Sequence, residues 1–107
     1  MRYNSGINKI FLVGQITTEP SLHKGKINEY QFTLVTREIH DKQGEKVEHL
    51  EYHQIQLPVT TIPQGVDLQK ELFVYLEGKI HTRAWTDEQG IKRYDTKIMG
   101  IQINSLF

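Results

Sequence analysis

The chain contains no cysteine. That absence excludes a disulfide framework, a thiolate nucleophile and any cysteine-ligated metal. An excess of one charge is missing too: lysine plus arginine and aspartate plus glutamate number 13 each, for a formal net charge of zero. A nucleic-acid binder usually carries a basic surplus or stripe, so only local clustering could supply one here. No apolar run approaches the length that spans a bilayer, and no membrane partner is expected. The opening "MRYNSGINKIFLV" has one arginine and no small-residue cleavage site, so a secretory leader is not expected and the cytoplasm is. Repeats, low-complexity tracts and Pro/Gly/Ser linkers are also lacking. With 107 residues, the chain is expected to fold as one domain spanning 1–107.

What is present is apolar alternation of period two, the mark of strands with one buried face. It predicts five strands, at about residues 7–16, 29–37, 46–57, 72–85 and 91–103. Gly14 interrupts the first, where a missing side chain permits a bulge or bend. The second places Tyr30, Phe32 and Leu34 on one face, with Gln31, Thr33 and Arg37 on the other. "DKQGE" (41–45) supplies a glycine for a turn, making a long hairpin of strands two and three, and "TDEQG" (86–90) joins four to five. Two prolines and Gly65 break the pattern between 58 and 69, leaving room for one short helical turn at about 66–71. Glycines 14, 78 and 100 suit a coiled sheet that closes on itself. The expected fold class is all-β, a five-stranded Greek-key barrel of the OB type with at most one short helix.

Alternation along strand four puts Leu72, Val74, Leu76, Gly78, Ile80, Thr82 and Ala84 on the predicted core face. Phe73, Tyr75, Glu77, Lys79, His81, Arg83 and Trp85 fall on the other. The only tryptophan therefore shares a wet face with Lys79 and Arg83. On strand three, His53, Ile55 and Leu57 take the apolar side, and Leu50, Tyr52, Gln54 and Gln56 the opposite one. Exposed rings beside cations are what single-stranded nucleic acid needs, because bases stack on the rings while cations track the phosphates. Rings placed this way also suit a subunit interface, and alternation leaves both readings open.

Ordered motifs over almost the whole length resemble the bacterial-type single-stranded DNA-binding proteins, the SSB family. They are "INKIFLVGQIT" (7–17) with Glu19 and Pro20, "FTLVT" (32–36), "GEK" (44–46), "EYHQI" (51–55) and "VYLEGKIHTRAWTDEQGIKRYDT" (74–96). The resemblance implies an OB fold that binds single-stranded DNA, with base stacking at Trp85 beside Arg83 and at Tyr52 before His53. It places a third stacking position at His40, a weaker and pH-dependent platform. A fourth, often phenylalanine, falls on Pro58, where no ring remains. The family's helix after strand three is replaced by "PVTTIPQGVDLQKE" (58–71), a poor helix. The chain stops at "INSLF" (103–107) without the Gly/Pro/Gln-rich linker and acidic tail of many relatives, so tail-dependent recruitment of replication or repair proteins is not expected.

The expected site is thus Trp85, Tyr52 and His40 for stacking, with Arg83, Lys79, Lys9 and Arg37 for phosphates. The expected role is binding of single-stranded DNA without strong sequence preference in replication, recombination and repair, without catalysis or cofactor, at the bacterial nucleoid. The resemblance further implies homo-oligomers, most commonly tetramers, with Phe11 and Val13 or Phe73 and Tyr75 as contacts. An alternative is an OB-fold primosomal or replication subunit that mainly binds other proteins and binds single strands weakly.

Two further constellations are weaker. "HLEYH" aligns His49, Glu51 and His53 on one strand face, a geometry open to zinc, but the polar arm of a hairpin accounts for it and no metal is expected. A hydrolase built on His49 and His53 is the corresponding enzymatic alternative. No serine or threonine sits in a glycine elbow, and no glycine-rich phosphate loop is present. Asp87 and Glu88 lie in a turn, where aspartate bonds backbone amides, so they are taken as structural.

Overall fold

The computed structural model describes residues 5–106. The leader expectation at the N-terminus falls partly on residues 1–4, outside the described residues.

Six strands follow one another: β1 (Ile10–Ile16), β2 (Ser21–His23), β3 (Glu29–Lys42), β4 (Glu45–Pro58), β5 (Phe73–Thr86) and β6 (Lys92–Ser105). Five of them close in the order β1-β5-β6-β4-β3 and back to β1, with β2 added on the edge of β3. Every pairing is antiparallel except β4 with β6, where Ile55 and Gln56 meet Ile98 and Met99. That connectivity is the OB barrel. The short β2, whose three residues are all exposed, has no apolar alternation and was not legible as a strand.

The inward residues of each strand make one core: Leu12, Ile16, Phe32, Leu34, Ile55, Leu57, Val74, Leu76, Ile98 and Ile103. Closure depends on β1 serving two partners. It pairs with β5 from Ile10 to Gln15, and with β3 at Gln15 and Ile16. Gly14 stands at that bend, packed so closely on the Val35 carbonyl that no side chain fits. A bulge between Glu77 and Gly78, opposite Gln102 and Gly100, leaves Ile101 unopposed and turns it outward. Ile103 and Ile98 thus both point inward although their spacing is odd.

Three expectations are corrected. The first strand begins at Ile10, and ahead of it the Asn8 carboxamide bonds both backbone groups of Ile80, at 2.7 and 2.9 Å. The helical turn lies at Val59–Thr61 instead of 66–71. Pro58 opens it with φ of −57° and accepts a 2.7 Å bond from the Thr61 hydroxyl, whereas Glu71, at φ 78°, has a backbone that no right-handed helix accepts. The segment still covers the barrel end, packing Ile62, Leu68 and Leu72 on the core. Finally, the core face of strand four ends at Gly78: Ile80 is 46% exposed, and Thr82 and Ala84 are exposed. Beyond that point β5 and β6 leave the barrel as a two-stranded arm wetted on both faces. The β3–β4 hairpin forms a second arm, ending in a two-residue turn with Gln43 and Gly44 both at positive φ.

Candidate nucleic-acid interface

The outer row of β5 carries Lys79, His81, Arg83 and Trp85, all exposed. Trp85 is 41% exposed, and the Arg83 guanidinium carbon lies 4.9 Å from its ring centroid. The turn that follows is held by one carboxylate. Asp87 accepts from the backbone N–H groups of Gln89 and Ile91, each at 2.9 Å, and from Arg93 Nε at 2.9 Å. The Ile91 amide first, then Arg93 and Gln89, hold the Asp87 carboxyl below the usual range. Arg93 stands directly opposite Trp85 on β6, so this clamp also fixes the tryptophan's cross-strand neighbour. Asp87 is structural, as its turn position suggested.

Next to Arg83, a polar hollow of about 160 Å³ is lined by Gln56 of β4, His81 and Arg83 of β5, and Asp95 and Lys97 of β6. Gln56 belongs to the outer row of β4, which continues through Gln54 to Tyr52. Tyr52, 57% exposed, is four residues from Gln56, about 13 Å along the strand. Trp85, Arg83, Gln56, Gln54 and Tyr52 therefore form one track over β5, β6 and β4. The glutamines were not singled out by sequence, although alternation from Tyr52 marks them.

At its Tyr52 end the track opens into a larger groove of about 660 Å³ between β1, β3, β4 and β5. Val13, Val35, Ile39, Leu50 and Phe73 line it, with Arg37 at its edge. Arg37 is committed to Glu48, Nε to Oε2 at 2.6 Å. Lys9 pairs with Glu77 at 3.5 Å and lies 5.5 Å over the Phe11 ring. Among the described residues, Lys79 and Arg83 are the cations of the expected set without an ion pair.

His40 is not joined to the track. The β3–β4 register puts Tyr52 opposite Val35 and His40 opposite Val47, on the other face of the arm, where His40 Nε2 lies 3.1 Å from Glu38. His53 turns toward the barrel and shares a 3.0 Å hydrogen bond with the Thr36 hydroxyl. Burial pushes its imidazole below the ordinary value, with Glu51 opposing. His49 contacts Glu51 at 3.1 Å, and among the described residues no three acidic or histidine side chains converge as metal ligands. Tyr94, 65% exposed and opposite Ala84 on the reverse face of the β5–β6 arm, is a further ring that the sequence analysis passed over. Its alternation with Arg93 and Asp95 was the available signal.

Barrel order, wet arms and an exposed ring beside unpaired cations define an OB-fold protein of the single-strand-binding kind. The chain belongs to the Single-strand binding protein family, whose model matches residues 7–106. Among solved structures it is similar to the SSB of Plasmodium falciparum in complex with ssDNA, at 25% identity and a TM-score of 0.82, over 99% of this chain and 100% of that one. It is also similar to the single-stranded DNA-binding protein from Thermus aquaticus. The wild-type form matches at 22% identity and TM-score 0.77, covering 97% of this chain, and a deletion variant at 23% and 0.80, covering 95%. This chain spans about half of those two Thermus chains, 52% and 51%.

Proposed function

We propose that this protein binds single-stranded DNA with little sequence preference and acts by holding the strand, without catalysis. The observation that carries this is the exposed Trp85–Arg83 pair, continuous through Gln56 and Gln54 with Tyr52 on one outer face. Family membership and the ssDNA held by the Plasmodium relative support it. Every base offers a π-face, so stacking is sequence-tolerant, and each stack is worth about 1–3 kcal/mol. With zero net charge, rings carry more of the affinity than in a basic relative. The role that follows is to keep strands unpaired and shielded during replication, recombination or repair.

The same reading carries a homo-oligomer, with four copies as the expected number. Phe11 (56% exposed) and Val13 (58%) of β1 adjoin Tyr75 and Phe73 of β5 on the outer barrel face, with the Phe11 and Tyr75 rings stacked at 6.2 Å. Apolar surface of this kind is what a second copy buries.

Titrating the protein with oligo-dT while following tryptophan fluorescence tests the binding proposal, since Trp85 is the only emitter of its kind. Strong quenching at low salt, with affinity that weakens as salt rises, is expected. Absence of quenching at low salt would refute the stacking reading.

A further inference from the structure

We propose that the hollow between Gln56, His81, Arg83, Asp95 and Lys97 is a phosphate subsite, and that His81 makes its affinity for a single strand pH-dependent. The inference rests on the single-strand-binding reading above and adds residues and a property that reading does not contain.

The register builds the site. His81 stands opposite Lys97 and Arg83 opposite Asp95, so four side chains occupy the corners of a small rectangle on one face. Its sides are about 5 Å across the strands and about 7 Å along them. Gln56, beside Met99 in the parallel pairing, closes it from β4 and offers an amide donor. The 160 Å³ of this half-open hollow is the liquid volume of about five water molecules. That is room for a phosphate that keeps part of its hydration.

Chemistry favours an anion over a base edge. Arg83 and Lys97 only donate, Gln56 can donate, and a protonated His81 donates from both ring nitrogens. The one group that only accepts is Asp95, which Lys97 partly neutralises at 3.7 Å. Position agrees: Arg83 spans from this hollow to the face of Trp85, so a nucleotide whose base stacks on the ring has its phosphate within reach of the same guanidinium. The charged groups facing His81 are Lys79 and Arg83 of its own strand and Lys97 and Asp95 of β6, with uncharged Gln56 on the third side. With a neutral His81 the hollow holds two cations and one carboxylate, a formal charge of +1; a protonated His81 makes it +2.

The test measures binding of a labelled oligo-dT by anisotropy, at several salt concentrations, at pH 5.8 and pH 8.0. The wild type should bind more tightly at pH 5.8, by up to about fivefold, the range of an exposed charge pair. Its salt slope should steepen by up to about 0.7, one phosphate contact on a single strand. His81→Gln should lose most of the acid gain, whereas His49→Gln, on the far face of the other arm, should keep it. Asp95→Asn should tighten binding at both pH values, because it removes the opposing charge. A His81→Gln variant that retains the acid gain would overturn the proposal. So would an Asp95→Asn variant that binds less tightly, or that loses a preference the wild type shows among dT, dC and dA oligomers, since the carboxylate would then be reading a base. If the wild type itself does not bind, it is the parent reading that fails.

Discussion

Replacing Gly14 by alanine tests how the barrel is closed. The added methyl would be driven into the Val35 carbonyl oxygen and would lie 3.3 Å from Thr36 Cγ2, against an ordinary contact of 3.4 Å or more. The obstructing atom is backbone, so no rotamer change relieves it. Relief requires β1 to back away from β3, which loosens the Gln15–Val35 and Ile16–Leu34 pairing and the 2.9 Å bond from Thr17 N–H to the Thr33 carbonyl. Overpacking of this kind costs about 1–3 kcal/mol. Restricting the unfolded chain returns about 0.4–1 kcal/mol. The net loss is about 1–2 kcal/mol, a fall in melting temperature of about 4–16 °C for a domain this size. Thermal melts by circular dichroism at one fixed protein concentration measure it. Gly6→Ala is the control, because nothing lies within 4 Å of its new Cβ. A Gly14→Ala protein that melts within about 2 °C of the Gly6→Ala protein would refute the account of the bend.

Trp85→Ala should weaken oligo-dT binding by roughly 5- to 150-fold, and Tyr52→Ala by a factor in the same range, both measured by anisotropy. A parental affinity in Trp85→Ala would show the stack to lie elsewhere. Because burial depresses the His53 pKa, its contribution to stability is complete above about pH 6.5 and is lost as pH falls from there through the folded value. His53→Gln should flatten that part of the pH–stability curve in chemical denaturation. Asp87 works in the other range: its lowered pKa gives stability that persists above the ordinary carboxylate value and disappears as pH drops through the folded one. Asp87→Asn should speed amide exchange at Gln89 and Ile91 at neutral pH, and wild-type exchange rates there would contradict the clamp.

The barrel was legible because its inner rows are short and regular. Tyr30, Phe32 and Leu34, or Ile55 and Leu57, announce one buried face whatever the strands pair with. Alternation does not say where a strand leaves the core. Ile80, Thr82 and Ala84 continue the inward parity of Val74 and Leu76, yet no layer lies across from them, so they are wet. The same limit explains His40. The family resemblance put it in one stacking set with Tyr52, and only the register with Val47 shows that it faces the other way. Trp85 and Tyr52 could be picked out because each is a ring on an outward parity inside a motif that carries the family resemblance, and Arg83 stands two residues from Trp85 on the same parity. Gln54, Gln56 and Lys97 are ordinary surface residues until three strands bring them together.

The pair of bonds from Asn8 to Ile80 has a consequence for how copies of this protein meet. A carboxamide carries the same donor and acceptor as a peptide group, so Asn8 stands in for one rung of a neighbouring strand along the edge of β5. By alternation, the next main-chain groups on that edge belong to Thr82 and Ala84, a step or two before the turn at Asp87. What remains unclaimed is too short a template for a foreign strand to zip onto. A protein with two long ribbons reaching into solvent is thereby guarded, at the root of one of them, against edge-to-edge polymerisation, and the guard is a single side chain that leaves the stacking face untouched.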